Sequence, residues 1–338
     1  MKPGARIYWV GSSIVIAMLV MFAARMVATA QQPSAATPQL DAATTKSPDR
    51  LPTSAPTPAP QLEPRIPAAE LLRYTEPSKL FLRSSVALVM DEREGIMLYE
   101  RNIDQPRPIA SLTKLMTAVV ILDAKLPLDE PIEITRADRD RLKGSRSRLR
   151  YGTVLTRHDM LQVALAASDN RAAAALGRTY PGGTDAMVEA MNLKARELAM
   201  TQTHFVDSSG LHKGNISSAR DLLKLVGAIR DYPLISTVTT DKRFRVTDKH
   251  THTEIVFGNT NYLVHKDTWD IALSKTGYTS EAGNCLLMRT TIADRPLVIV
   301  LLNSWGKLSK YGDSNRIRSW LLEAEHKILT HARAGTST

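Results

Sequence analysis

Three short segments far apart in this chain must meet in space if any of them is to do chemistry. That requirement bounds the fold before a single helix or strand is assigned. The segments are Ser111-Leu-Thr-Lys114, Ser168-Asp-Asn170 and Lys275-Thr-Gly277. Together they hold a nucleophilic hydroxyl, two lysines, a second hydroxyl and an amide, the parts of an acyl-transfer site that works without histidine. Singly, each has an ordinary reading: a capping serine before a surface lysine, a helix-ending turn, a strand end. The informative feature is the three together, in this order and at domain-scale separations.

The pattern around them is one of strands at both ends and helices between. Residues 85–90 and 96–99 read as strands joined by a turn at 92–95. A helical pattern runs from Ser111 to about Ala124. Another starts at Thr156, which stands at capping spacing from Asp159, and reaches about Ala167. Further helices cover about 185–198 and the stretch from Ser218, again at capping spacing from Asp221, to a stop before Pro233. Residues 243–247, 254–257 and 269–275 are then extended, and 285–292 with 297–302 form an antiparallel pair around a turn at 293–295. The last segment is helical, with Ile317, Trp320, Leu321, Ala324 and Ile328 on one apolar face that packs on its own domain. The expectation is an α/β fold of the α+β type: an antiparallel sheet built from the two ends, flanked by helices, with a helical lobe in the middle.

On a helix, residues three apart share a face, so the Lys114 amine reaches the Ser111 hydroxyl. To act as a base the amine must be neutral part of the time. Burial beside Leu112, Leu115 and Met116, and a second cation at Lys275, both push its pKa down. At a helix start the Ser111 N–H is free to point at a developing oxyanion, and the backbone N–H of Tyr278 is the expected second donor. Ser168 can relay a proton to the leaving amine, and the Asn170 amide can bind a substrate peptide group. Lys275 can hold Ser168 and a substrate carboxylate, with Thr276 adding a hydroxyl. Gly277, without a side chain, leaves room for substrate to lie along the strand edge as an added strand.

Composition limits the rest. The chain opens with Met1, Lys2 and Arg6, an apolar run over 14–24 and Ala28-Thr-Ala30, the form of a secretory signal peptide cleaved after residue 30; an uncleaved anchor is the alternative. Residues 31–67 hold nine of the 18 prolines and read as a disordered linker. Residues 69–334 have globular composition and suit one large domain. Cys285 is the single cysteine, so no internal disulfide can form, and its apolar neighbours mark a packed thiol. His250 and His252 would share a strand face but lack an obvious third ligand, so no metal or other cofactor is expected. The formal charge is +10, or +7 once Lys2, Arg6 and Arg25 leave with the signal. Residues 139–150 carry a dense run of Arg and Lys. For an exported chain, an anionic cell wall is a better partner for it than nucleic acid, and an ordinary solvated loop is the plain alternative.

The three motifs, with Ile109-Ala-Ser-Leu-Thr-Lys-Leu-Met-Thr117, Asn170-Arg-Ala-Ala-Ala174, Tyr180-Pro-Gly-Gly183, Phe257-Gly-Asn-Thr-Asn261 and Leu273-Ser-Lys-Thr-Gly-Tyr-Thr279, resemble the low-molecular-mass penicillin-binding proteins. Within them the chain most resembles the D-alanyl-D-alanine endopeptidase subgroup. The resemblance covers about 80–320. It implies the penicillin-recognising serine transpeptidase fold, shared with β-lactamases, and hydrolysis of D-alanyl bonds in peptidoglycan through an acyl-enzyme on Ser111. It also implies Lys114 as base, Ser168 as relay, Lys275 as substrate-binding lysine, β-lactam antibiotics as covalent inhibitors and a periplasmic location. Many family carboxypeptidases carry a second strand-rich domain and an amphipathic anchor. Only 278–338 follow the third motif here, which favours the endopeptidase subgroup and a soluble enzyme over a carboxypeptidase releasing terminal D-Ala. A class A β-lactamase would need a Glu-x-x-Leu-Asn segment, and the corresponding region holds Thr203-His-Phe-Val-Asp-Ser-Ser-Gly-Leu211 instead, with Asp207 read as a turn former. Slow release of bound penicillin is therefore expected. An inactive wall-binding module on the same fold is disfavoured by three intact motifs.

Overall fold

The computed structural model describes residues 66–335. The expected signal peptide, and the linker up to residue 65, lie outside the described residues. A sheet of five antiparallel strands forms the centre: β1 (Ser84–Asp91), β2 (Ile96–Arg101), β3 (Asp270–Thr279), β4 (Gly283–Ile292) and β5 (Arg295–Ser304). Their spatial order is β2-β1-β5-β4-β3, so the two ends of the folded chain meet in the middle of the sheet, where β1 pairs with β5.

The apolar run 297–302 has no polar alternation because both faces of β5 are covered. Val298, Val300 and Leu302 point into one apolar cluster, Leu297, Ile299 and Leu301 into the other, the period-two pattern of a strand. The second cluster is closed by α1 (Ala68–Tyr74) and by α8 (Ser309–Gly335). From α8 come Ile317, Trp320, Leu321, Ala324 and Ile328, the five residues expected to form its buried face. The strands β4 and β5 turn through Ala293 and Asp294, both at φ 53°. A two-residue connection with both central residues left-handed matches the twist of the strands it joins. The turn is one residue shorter than expected, since Arg295 already pairs with Ile292.

The first cluster belongs to the helices between the two chain ends. They are α2 (Thr113–Asp123), α3 (Arg157–Leu165), α4 (Asn170–Arg178), α5 (Gly183–Glu197), α6 (Ala219–Ile229) and α7 (Pro233–Thr240). α2 is buried from Thr113 to Ile121, with no solvated face, and serves as the core helix of the lobe. Thr156 and Ser218 cap α3 and α6 by accepting the N–H of Asp159 and Asp221, as their spacing suggested. A hairpin pairs Arg243–Thr247 with Glu254–Gly258. Among the described residues no helix is long and apolar enough to cross a membrane.

One buried carboxylate joins the parts. Asp313, near the start of α8 and fully buried, accepts from the N–H of Arg83, the N–H of Ser84 and the Ser84 hydroxyl, which also meets Ser304 Oγ at 2.6 Å. It thus ties the first residue of β1 and, through Ser84, the last of β5 to α8. Asp313→Ala would leave the N–H groups of Arg83 and Ser84 without their carboxylate partner, a loss of about 2–4 kcal/mol. Urea unfolding of the full chain is expected to show an unfolding free energy lower by that amount, seen as a lower midpoint with an unchanged slope.

Candidate active site

Ser111 lies in a single 3-10 turn, Ala110–Leu112, that leads directly into α2. Ala110 is left-handed at φ 48°, a conformation that costs a non-glycine residue about 1–2 kcal/mol and persists only where neighbours impose it. Two glycines let those neighbours close in. At Gly277 a side-chain carbon would lie 3.0 Å from the Ile109 carbonyl oxygen and 3.1 Å from Ser111 N; at Gly210, itself at φ +82°, one would sit 1.9 Å from the Ala110 carbonyl oxygen. This corrects the expected reason for Gly277. The space its missing side chain leaves is filled by the nucleophile turn, not kept clear for substrate. Lys275-Thr-Gly277 also stands within β3, which continues to Thr279, instead of ending a strand.

Lys114, on the first turn of α2, is buried, and its amine has three oxygen partners: Ser111 Oγ at 2.9 Å, Asn170 Oδ1 at 2.7 Å and the Ser209 carbonyl at 2.6 Å. An ammonium spends its three hydrogens on these three oxygens. A neutral amine has two hydrogens and a lone pair, and two of the three partners are carbonyl oxygens that can only accept. The lone pair therefore falls to the one partner able to donate, the Ser111 hydroxyl. Burial brings the Lys114 pKa down to about 8, against the opposing pull of the Asp207, Asp169 and Asp140 charges. Burial, one of the two expected causes, is the largest.

Lys275 is equally buried and donates to Ser168 Oγ at 2.8 Å and to the Thr276 carbonyl at 2.9 Å. Its pKa is pushed well below the ordinary lysine value by burial first, then by the positive charges of Lys114 and Lys310. Ser168 is left-handed at φ 56°, at the junction between α3 and α4. Asp169 follows it as the N-cap of α4, accepting the N–H of Arg171 and Ala172. Serine, aspartate and asparagine thus divide three tasks: the hydroxyl meets Lys275, the carboxylate starts a helix, and the amide meets Lys114.

Asn170 differs from expectation. Its carbonyl oxygen holds Lys114 and its amide nitrogen donates to Ser145 Oγ at 2.9 Å, so both ends of the group are occupied by the protein. It orients the amine and ties down the 140–150 loop before it touches any substrate. Asp207 forms a turn, as read from its sequence. Its two oxygens accept from Ser209 N and Oγ, Gly210 N, His212 N and Asn215 Nδ2. That turn aims the Ser209 carbonyl at Lys114.

All three motifs open onto one cleft of about 860 Å³, whose walls include Ser111, Ser145, Ser168, Asn170, Thr276 and the exposed Tyr278. Thr276 Oγ1 meets Thr260 Oγ1 at 2.6 Å, from the 257–261 stretch. Lys310, on α8, adds a third buried amine, held by Asn284 Oδ1 at 3.1 Å. Ser145, Ser209 and Lys310 carried no motif signal of their own, and Thr260 stood in a resembling stretch without an assigned role. Trp305 and Leu308, both largely exposed, form the rim between β5 and α8. A hollow of about 1010 Å³ along α5 holds none of the motif residues. Among the described residues no group of three His, Cys, Asp or Glu could hold a metal ion.

This arrangement, a hydroxyl beside a buried amine of lowered pKa and next to a second hydroxyl–amine pair, is that of a serine acyl-transfer enzyme. A family described as D-alanyl-D-alanine carboxypeptidase matches residues 73–306. The chain belongs to this family of serine peptidases. It is 48% identical over 240 residues to a D-alanyl-D-alanine endopeptidase of Pseudomonas aeruginosa, which covers 71% of this chain and 77% of that one. A D-alanyl-D-alanine endopeptidase of Escherichia coli is 42% identical over 263 residues, 78% of this chain and 83% of its own. Relatives named carboxypeptidases match at lower identity. Among solved structures, the ampicillin-bound penicillin-binding protein D2 of Listeria monocytogenes superposes with a TM-score of 0.63 at 27% identity, covering 72% of this chain and 99% of that one. The fold expected from the sequence is the one found, and by its family the chain is a D-alanyl-D-alanine peptidase.

The close approach at Gly277 is testable in this peptidase. Gly277→Ala must move the Ile109–Ser111 backbone by a few tenths of an ångström, and small misplacements of a reacting atom are costly. Acylation of Ser111 by a fluorescent penicillin is expected to slow about tenfold or more, while the melting temperature changes little.

Proposed function

We propose that this chain is a D-alanyl-D-alanine endopeptidase that opens peptide cross-links in peptidoglycan through an acyl-enzyme on Ser111. The observation that carries the catalytic assignment is the Lys114 amine, 2.9 Å from Ser111 Oγ with its lone pair directed there by two acceptor-only partners. The identity to relatives named endopeptidases, above that to relatives named carboxypeptidases, carries the choice between cross-link and terminal D-Ala.

In this reading the substrate's D-alanyl segment lies along β3, the edge strand of the sheet, as an added strand. Ser111 Oγ attacks the D-alanyl carbonyl while its proton passes to neutral Lys114. The N–H groups of Ser111 and Tyr278 stabilise the oxyanion. Ser168, bonded to Lys275, returns a proton to the departing amine. The C–N bond breaks, the ester on Ser111 forms, and water later cleaves it by the reverse sequence of proton transfers. Lys275 with Thr276 anchors a substrate carboxylate. Asp207 has both oxygens committed to its own turn, which removes it as the carboxylate that would speed deacylation in a β-lactamase. Export to the periplasm, expected from the N-terminal segment, belongs to the same proposal.

Two measurements test the reading. Raising the pH removes the proton from Lys114, and the neutral form is the base, so acylation by penicillin should gain about tenfold per unit on the acid side and level off above the Lys114 pKa of about 8. A rate that falls across that range would mean that charged Lys114 is the active form. For specificity, cross-linked dimeric muropeptides and monomeric pentapeptides are offered to the protein and to Ser111→Ala, with products read by mass spectrometry. Dimer converted to monomers by the wild type alone is the expected result. Release of D-alanine from pentapeptide with intact dimer would make the enzyme a carboxypeptidase.

A further inference from the structure

The basic stretch beside the cleft is the strongest feature that the catalytic reading leaves unused. Residues 136–150 carry seven cations, Arg136, Arg139, Arg141, Lys143, Arg146, Arg148 and Arg150, against two acids, Asp138 and Asp140. The local acids are already spent. Asp138 is buried and paired with Arg178, and Asp140 accepts the N–H of Leu142, Lys143 and Ser145. Glu281, across the cleft mouth, is taken by Lys143. Arg148 is held by the Val256 carbonyl and lies over the Phe257 ring. The guanidiniums of Arg139, Arg141, Arg146 and Arg150 stand exposed, with no carboxylate among the described residues bonded to them, and Arg146 lines the cleft itself.

The loop that carries them is fixed. Asp140 folds its first turn, Ser145 is tied to Asn170, and Leu149 is fully buried in the core of the lobe. Holding like charges together on a fixed surface is unfavourable unless an anionic partner answers them, and such a surface attracts anions over about 8 Å at physiological salt. A cross-linked glycopeptide wall presents free carboxylates from many stem peptides at once. A soluble fragment presents only a few. Many weak ion pairs to one insoluble polymer add up where a single exposed pair contributes little.

We propose that the Arg139–Arg150 face is a docking surface for the carboxylate-bearing peptides of intact peptidoglycan, delivering a cross-link to the neighbouring cleft. This rests on the peptidoglycan reading above but is tested without turnover. In the Ser111→Ala background, binding to purified sacculi is followed by co-sedimentation, with and without Arg139→Ser, Arg141→Ser and Arg150→Ser; Arg146 is left in place because it lines the cleft. The substituted protein should bind sacculi at least about fivefold more weakly at low salt, and the two proteins should converge at roughly 0.5 M salt, where charges are screened within a few ångström. Sacculi whose carboxylates have been amidated should bind the two alike. With Ser111 restored, digestion of sacculi should fall in parallel while soluble dimer is cleaved at the wild-type rate, which also shows that the substituted protein folds. Equal binding by both proteins, unchanged binding to amidated sacculi, or a matching loss on the soluble dimer would each overturn the proposal. So would tighter binding to DNA or to anionic lipid vesicles than to sacculi. Failure to cleave any dimer, with docking intact, would sink the endopeptidase reading and leave the docking surface standing.

Discussion

A buried amine without a carboxylate partner is the constraint around which this active site is built. Taking the Lys114 charge out of water is expensive unless every hydrogen finds an acceptor. The acceptors come from three places: the turn before α2, the start of α4 and the loop that Asp207 folds. Each of those segments is therefore held where the amine needs it, and the amine is held where Ser111 needs it. A carboxylate in place of either carbonyl would have secured the charge more strongly and kept the lysine protonated. Carbonyl oxygens satisfy the hydrogens and leave the pKa low enough for the amine to be neutral part of the time.

The fold places these segments on opposite sides of one seam. The sheet, closed at its centre by the pairing of β1 with β5, ends at β3, and β3 brings Lys275, Thr276 and Gly277 to the edge. The helical lobe, inserted between the chain ends, supplies Ser111, Lys114, Ser168 and Asn170. Gly277 and Gly210 let the two sides approach to backbone contact at the nucleophile turn. The geometry of Ser111 is thus a property of the seam. That explains why Ala110 and Ser168 can sit in left-handed conformations that glycine would adopt at lower cost. Ser168 must keep its hydroxyl, and the packed lobe imposes the backbone that aims it at Lys275.

The sequence made the chemistry more legible than the supporting structure. Residue types in the three motifs pointed to the hydroxyls and lysines that the structure brings together, because acyl-transfer chemistry needs particular atoms. Period-two and helical patterns located the sheet strands and α8, whose faces are apolar and unambiguous. The pattern was silent on α4, whose run of alanines after Asn170 has no contrast between faces in that stretch, and on α7. For α7, Pro233 was read as a stop when it stands at the first position of a new helix, where proline is well tolerated. The parts played by Ser145, Ser209 and Thr260 were unreadable for a different reason. They act through one hydroxyl or one carbonyl aimed by tertiary packing, and no local spacing records that aim. Gly277 and Asn170 were noticed for a substrate role, and the structure adds to each a protein neighbour that no local spacing records: the nucleophile turn at Gly277, Lys114 and Ser145 at Asn170.

The two lysines also settle how a site with so much positive charge can hold a base. Three buried amines, Lys114, Lys275 and Lys310, line or underlie one cleft, and no carboxylate among the described residues touches the first two. Each charge lowers the cost of removing a proton from its neighbour, so the arrangement favours states in which at least one amine is neutral. Each amine has a hydroxyl partner that can meet a lone pair, so the charge in the cleft decides between them. Lys114 has a hydroxyl that can donate to a lone pair and two carbonyl oxygens that cannot; Lys275 has one of each. In the proposed mechanism, a proton arriving at Lys114 from Ser111 would raise the charge on that side and favour its passage onward through the Ser168–Lys275 pair. A substrate carboxylate at Lys275, as proposed, would hold Lys275 charged and leave Lys114 as the neutral amine. On that reading, charge balance between the two buried amines would couple substrate binding to the activation of Ser111.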